Sequence, residues 1–246
     1  MIRVGRRIYN SDGTYKDPFF ENFKPILCLT KSTKYGSLGP YELKNEKSQI
    51  MENIYQFSKV YETVPKTIQR ASRYDATIIW NYPTEKHVNK ISEEEFEILP
   101  EYYEWRNKGF NSEYAIRYPV GFNNRSKCLF AIKDIDAENI TLLDYIEARK
   151  EIYLPLYISL VQNKPQFQEL KKYLDKGINL LIIEVDGPHE ESLNYYMKKY
   201  KVNSDFIINN TILVTEDNMK IMLNDEKHAF GHGYCLAIAL LDLEVI

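Results

Sequence analysis

Cysteine is scarce and scattered: Cys28, Cys128 and Cys235 are three in 246 residues. An odd, widely spaced set excludes the disulfide framework that staples small secreted domains, and it fits a reducing compartment. A basic excess is also lacking. The net charge is −3, whereas a protein that tracks duplex phosphates by charge carries surplus Lys and Arg. Duplex nucleic acid is therefore not expected as a partner. A modified base or a small anion needs only a few local cations and stays open. The longest apolar stretch, residues 234–241, is too short to span a bilayer. Arg3, Arg6 and Arg7 have no apolar run behind them, so no signal peptide is expected. These absences predict a cytoplasmic protein with no membrane partner.

Familiar motifs are missing as well. There is no Gly-x-Ser-x-Gly elbow, no glycine-rich phosphate loop ending in Lys-Ser, no Cys-x2-Cys pair, no internal repeat and no low-complexity tract.

What remains is a chain with 44% hydrophobic residues. That composition and length predict one α+β domain, mostly helical with a few buried strands, carrying a central insertion. A helix is expected over residues 49–62, with Ser48 as cap and Pro65 as stop. Residues 70–135 lose regular periodicity and read as an insertion or lid. Residues 141–160 read as a helix kinked at Pro155. Pro165 opens a further helix that ends before Gly177. Residues 178–185, centred on the apolar run Leu180–Ile183 and set between Gly177 and Gly187, have the pattern of a central buried strand.

Three constellations carry chemistry. Glu52, Gln56 and Lys59 fall on one face of the expected helix, with Ile50, Ile54, Phe57 and Tyr61 opposite. The plainer reading is a solvated face. Met51, Tyr55 and Val60 border the row, however, and a polar row between apolar walls is what a ligand cleft needs. Glu184 and Asp186 end the buried strand ahead of Gly187, a common place for catalytic acids but also for a simple turn. Phe230, Gly231, His232 and Gly233 enter an apolar helix. Such a loop can hold phosphate on backbone amides or be a plain turn. His228, His232 and Cys235 have the residue types of a metal set, but the glycines break a regular helix through the two histidines, and no metal is expected. Arg117, Arg125 and Lys127 form a small basic cluster. With Trp105 they suit either surface charge or a phosphate grip with base stacking.

The order of these parts resembles the NADAR/YbiA-like N-glycosidase group. Ser37, Leu38, Gly39, Pro40 and Tyr41 precede the Glu52-x3-Gln56-x2-Lys59 pattern, Leu181 to Asp186 stand for a later acidic segment, and Phe230 to Gly233 for a closing Trp-Gly-x-Gly loop. The resemblance implies cleavage of an N-glycosidic bond to a ribose phosphate, in a nucleotide-like or ADP-ribose-type ligand. Glu52, Lys59 and Asp186 would be catalytic. Gln56, Tyr55, Trp105, Arg117, Gly231, His232 and Gly233 would contact substrate. No cofactor is implied. A non-catalytic nucleotide-binding or interaction protein is the competing reading. Twenty tyrosines and an irregular central stretch suit a protein–protein surface as well as a lid.

Overall fold

The computed structural model describes all residues except 30, 31, 33, 73, 74, 93, 94 and 136–139. The chain forms mixed α and β structure in two compact units. One joins Met1–Leu43 to Leu154–Ile246, and the other is Lys44–Tyr153.

The first unit is built on a four-stranded sheet in the order Thr211–Leu213, Ile2–Arg6, Asn179–Glu184, Phe23–Leu27. Ile2–Arg6 and Phe23–Leu27 both run parallel to Asn179–Glu184, with Val4 and Ile26 flanking Ile182. Thr211–Leu213 closes the other side antiparallel. Leu180, Leu181, Ile182, Ile183 and Glu184 are all buried, as expected of a strand covered on both faces. Val185 lies past the strand end and is 45% exposed, so the buried run stops one residue short of the expected boundary. Pro25 is tolerated because its strand is an edge. The Pro165–Asp175 helix ends at Lys176, and Gly177 takes φ +74°, which lets the chain turn into the central strand. The His232–Leu241 helix is apolar on all sides and buried from Gly233 to Leu240. It packs on Ile2–Arg6, on Asn179–Glu184 and on the Leu154–Val161 helix.

The second unit holds nine of the fifteen strands among the described residues, so the chain carries more strand than a mostly helical domain. Its three-stranded sheet runs Leu142–Leu143, Cys128–Ile132, Lys59–Tyr61. The core gathers Phe57, Val60, Tyr61, Trp80, Tyr82, Tyr102, Trp105, Phe130 and Ile132. Phe57 stands 4.9 Å from Trp80 and 4.5 Å from Trp105, ring centre to ring centre. Residues 80, 105 and 130, inside the stretch expected as an insertion, thus pack in the same core as Phe57.

The expected helix over 49–62 is shorter. It spans Met51–Phe57, its N-cap is Ile50, and Ser48 sits at φ +62° without capping it. It stops at Ser58, well before Pro65. Ser58 Oγ donates to Ile54 O at 2.6 Å, a local bond that competes with helix continuation. Lys59–Tyr61 then pairs as a strand with Cys128–Ile132, where β-branched Val60 and aromatic Tyr61 fit a pleated surface. Farther along, Asp144 and Glu147 form a capping box ahead of Tyr145–Ala148. The next turn, Arg149–Tyr153, widens to π geometry before Leu154–Val161. Pro155 has no N–H to give the carbonyl four residues back, which accounts for the distortion at this place.

Among the described residues, no helix is long and apolar enough to cross a membrane.

Candidate functional site

The Glu52 row is not a solvated face. Glu52 is 6% exposed, and Met51 and Val60 are fully buried. Lys59 lies outside the helix, on the following strand, so helical periodicity does not place it. The turn at Ser58 does. Lys59 Nζ donates to Gln56 Oε1 at 3.0 Å, and Gln56 Nε2 donates to Glu52 Oε1 at 3.0 Å. The Gln56 amide therefore sits between cation and carboxylate, with its oxygen and nitrogen both assigned by their partners.

The row is walled by aromatics. Lys59 Nζ lies 4.3 Å from the Tyr55 ring centre, within cation–π range. Tyr55 packs on Tyr153 at 4.8 Å. Burial pushes the Lys59 pKa down, against the pull of Cys128 and Glu52. The nearby Arg149 charge adds to the depression. Burial also pushes the Cys128 thiol up, with Lys59 opposing. Arg149 is 2% exposed and donates to Tyr145 Oη at 2.8 Å. Arg149, Cys128 and Tyr153 enter the site from distant positions, and no spacing in the sequence marks them. Asn53, also unforeseen, is fully buried on the same helix. Its Nδ2 donates to Tyr114 O at 2.9 Å and its Oδ1 accepts from Ile116 N at 2.8 Å, tying residues 114–116 to the helix.

Two further expected substrate contacts, Trp105 and Arg117, lie in this unit. Trp105 is completely buried among Phe57, Tyr61, His87 and Tyr102, so its ring offers no open face for a base. Arg117 is half-buried with its guanidinium 5.1 Å from the Tyr118 ring.

The other unit holds Glu184, Asp186, Gly231, His232 and Gly233. Glu184 is 1% exposed, and its pKa is pushed up to about 8 by burial and then by the Asp186 charge; the amides of Gly233 and Tyr234 act against this. His232 Nε2 donates to the Cys28 carbonyl at 2.8 Å, which leaves Nδ1 facing Glu184 Oε2 at 3.4 Å. The glycine loop expected to grip phosphate instead receives this carboxyl. A Cβ on Gly233 would stand 2.7 Å from Glu184 Oε1, and one on Gly231 would strike Oε2 outright. The two glycines make room for Glu184 at the start of the final helix, where a phosphate was expected. Asp186, half-buried, follows the strand end.

Among the described residues, no group of three or more His, Cys, Asp or Glu side chains is arranged to hold a metal ion. His228 binds Asp225 and Ser192, His232 binds Cys28 and faces Glu184, and Cys235 is buried in the final helix.

Comparison of the chain with family models, curated proteins and solved structures gives no match.

Proposed function

We propose that this chain is an N-glycosidase-type hydrolase acting on a ribose-phosphate or ADP-ribose-type ligand, with Glu52 as the catalytic carboxylate. The observation that carries the reading is the burial of Glu52 in a hydrogen-bonded row with Gln56 and Lys59. A carboxyl on a surface helix face has no need of such a row. Cleavage of an N-glycosidic bond develops positive charge on the sugar, and a held carboxylate stabilises it. The same carboxylate takes the proton of the water that adds to the anomeric carbon, while the base leaves with the bonding pair. Gln56 fixes the direction of Glu52. Lys59 and Arg149 supply positive field for a phosphate. No step requires a metal.

The test is base release from ADP-ribose-type and ribosyl-phosphate substrates by wild type and Glu52→Gln. The substitution keeps size and removes charge. Release should fall on the order of a hundredfold or more with the unfolding midpoint little changed. Equal release by both proteins would dismiss Glu52. A second reading, an interaction protein without activity, draws on one observation: the amides of the glycine loop face Glu184 and not a phosphate. It predicts no base release by either protein.

A further inference from the structure

A different set of side chains, in the Met1–Leu43 and Leu154–Ile246 unit, forms a connected hydrogen-bond cluster. Ser192 ends the short Glu190–Ser192 turn and is the N-cap of the Leu193–Tyr200 helix. An N-cap serine ordinarily turns its hydroxyl back onto the helix amides. Ser192 makes no such bond. Its Oγ stands 3.0 Å from His228 Nε2, and His228 Nδ1 stands 2.6 Å from Asp225 Oδ2 and 2.9 Å from Tyr196 Oη. Asp225 is fully buried, and Tyr195 Oη and Tyr196 Oη each donate to it at 2.7 Å. Burial raises its pKa, but the bonds from Tyr195, Tyr196 and His228 outweigh that and hold it below the usual value.

A carboxylate can only accept, so the bond to Asp225 places the His228 proton on Nδ1. Nε2 then carries the lone pair, and the Ser192 hydroxyl is the donor to it. Direction and distances are those of a serine nucleophile, its base and the acid that orients the base. Neighbouring charges are present too. The His189 ring lies 4.8 Å from His228, and Arg6 contacts His189 and pairs with Glu191.

Ser192 is half-buried. Farther along the helix that it caps, Asn194, Tyr195, Lys198 and Lys199 line an open groove of about 450 Å³. Tyr195 belongs to both places. It lines the groove, its hydroxyl bonds Asp225, and its ring lies 5.7 Å from His228. Lys227 Nζ adds a third cation 4.7 Å from the same ring.

We propose that Ser192, His228 and Asp225 form a second, acyl-transfer site that hydrolyses esters bearing an anionic group. Ser192 Oγ bonds to the acyl carbon as its proton passes to His228 Nε2. The carbon–oxygen bond of the ester breaks, and the departing alcohol takes that proton. Water then adds to the acyl-serine through the same base, releasing the acid and restoring the hydroxyl. Lys198, Lys199 and Lys227 attract the anionic end of the acyl or alcohol part. No Gly-x-Ser-x-Gly pattern marks this serine, because a tight turn before a helix brings it to His228 without one.

A fluorophosphonate probe on the full chain tests the site. One equivalent should bond to Ser192 with loss of fluoride, located by peptide mass spectrometry. His228→Gln should slow labelling by roughly a thousandfold, and Ser192→Ala should abolish it. Turnover of 4-nitrophenyl esters should favour an acid-bearing acyl group over acetate, and Lys198→Ala with Lys199→Ala should reduce that preference. Ser192→Ala, a small change at a half-buried position, keeps the assay informative if His228→Gln does not fold. Absence of adduct on Ser192 in folded protein, or equal labelling of a folded His228→Gln protein, would overturn the proposal and leave the three residues as a structural hydrogen-bond cluster.

Discussion

The carboxyl of Glu184 occupies the space that a side chain on Gly233 would need, 2.7 Å from the position of its missing Cβ. Gly231 stands in the same relation to the other carboxyl oxygen. Gly233→Ala and Gly231→Ala should each destabilise the protein by about 2–4 kcal/mol, read from urea midpoints, because the clash is with a buried side chain. Adding Glu184→Ala should make the pair less damaging than the sum of its parts. Additive effects would mean that the glycines serve something other than Glu184.

Glu184 also sets a pH dependence. Its pKa in the folded chain is about 8 against an ordinary 4.5. Between those values the folded protein keeps the proton and the unfolded chain has lost it. Stability is thus fully retained below about 4.5 and declines as pH rises toward 8, by up to about 1.4 kcal/mol per pH unit. Glu184→Gln should remove this component. Denaturation midpoints measured from pH 5 to 8 should fall more steeply for wild type than for the variant; parallel curves would show that Glu184 titrates normally.

Gly109 lies inside the Pro100–Phe110 helix, where glycine costs about 1 kcal/mol relative to alanine. A Cβ there would collide with the Phe57 ring. Gly109→Ala should therefore lower the thermal midpoint despite improving helix propensity, and Phe57→Leu in the same chain should recover part of the loss. A stabilised Gly109→Ala protein would show that this helix and Phe57 do not meet so closely.

Asn53 holds residues 114–116 by bonds in both directions. Asn53→Ala leaves the buried Ile116 amide without its acceptor, which should cost about 2–3 kcal/mol. Hydrogen exchange at Ile116 should rise with it, and unchanged protection there would count against the tie.

The sequence was legible where one rule governed an element alone. The central strand was marked by its apolar run, and the Pro165–Asp175 helix by proline and glycine at its two ends. The Met51–Phe57 helix stops short of its helical periodicity because pairing of Val60 with Phe130 competes with it, and that partner lies 70 residues away. Lys59 reaches Gln56 for a reason opposite to the expected one, through the end of the helix rather than along it. The glycine loop illustrates a further gap. Gly231 and Gly233 announce a close approach, but nothing local tells a protein carboxyl from a ligand phosphate. Arg149, Cys128 and Tyr153 are drawn to the Glu52 row by the fold, and single-chain patterns carry no trace of such meetings.

The pairing of Ile2 with Leu180 gives the chain a waiting problem during synthesis. The Ile2–Arg6 strand leaves the ribosome about 180 residues ahead of its parallel neighbour, roughly 10–40 s at ordinary elongation rates. All of Lys44–Tyr153 emerges in the interval. An unpaired strand of Ile, Arg and Val must therefore persist on the nascent chain, sheltered by chaperones or exposed to mispairing. Yield in the cell should respond to translation speed and chaperone supply more than the stability of the finished protein would suggest.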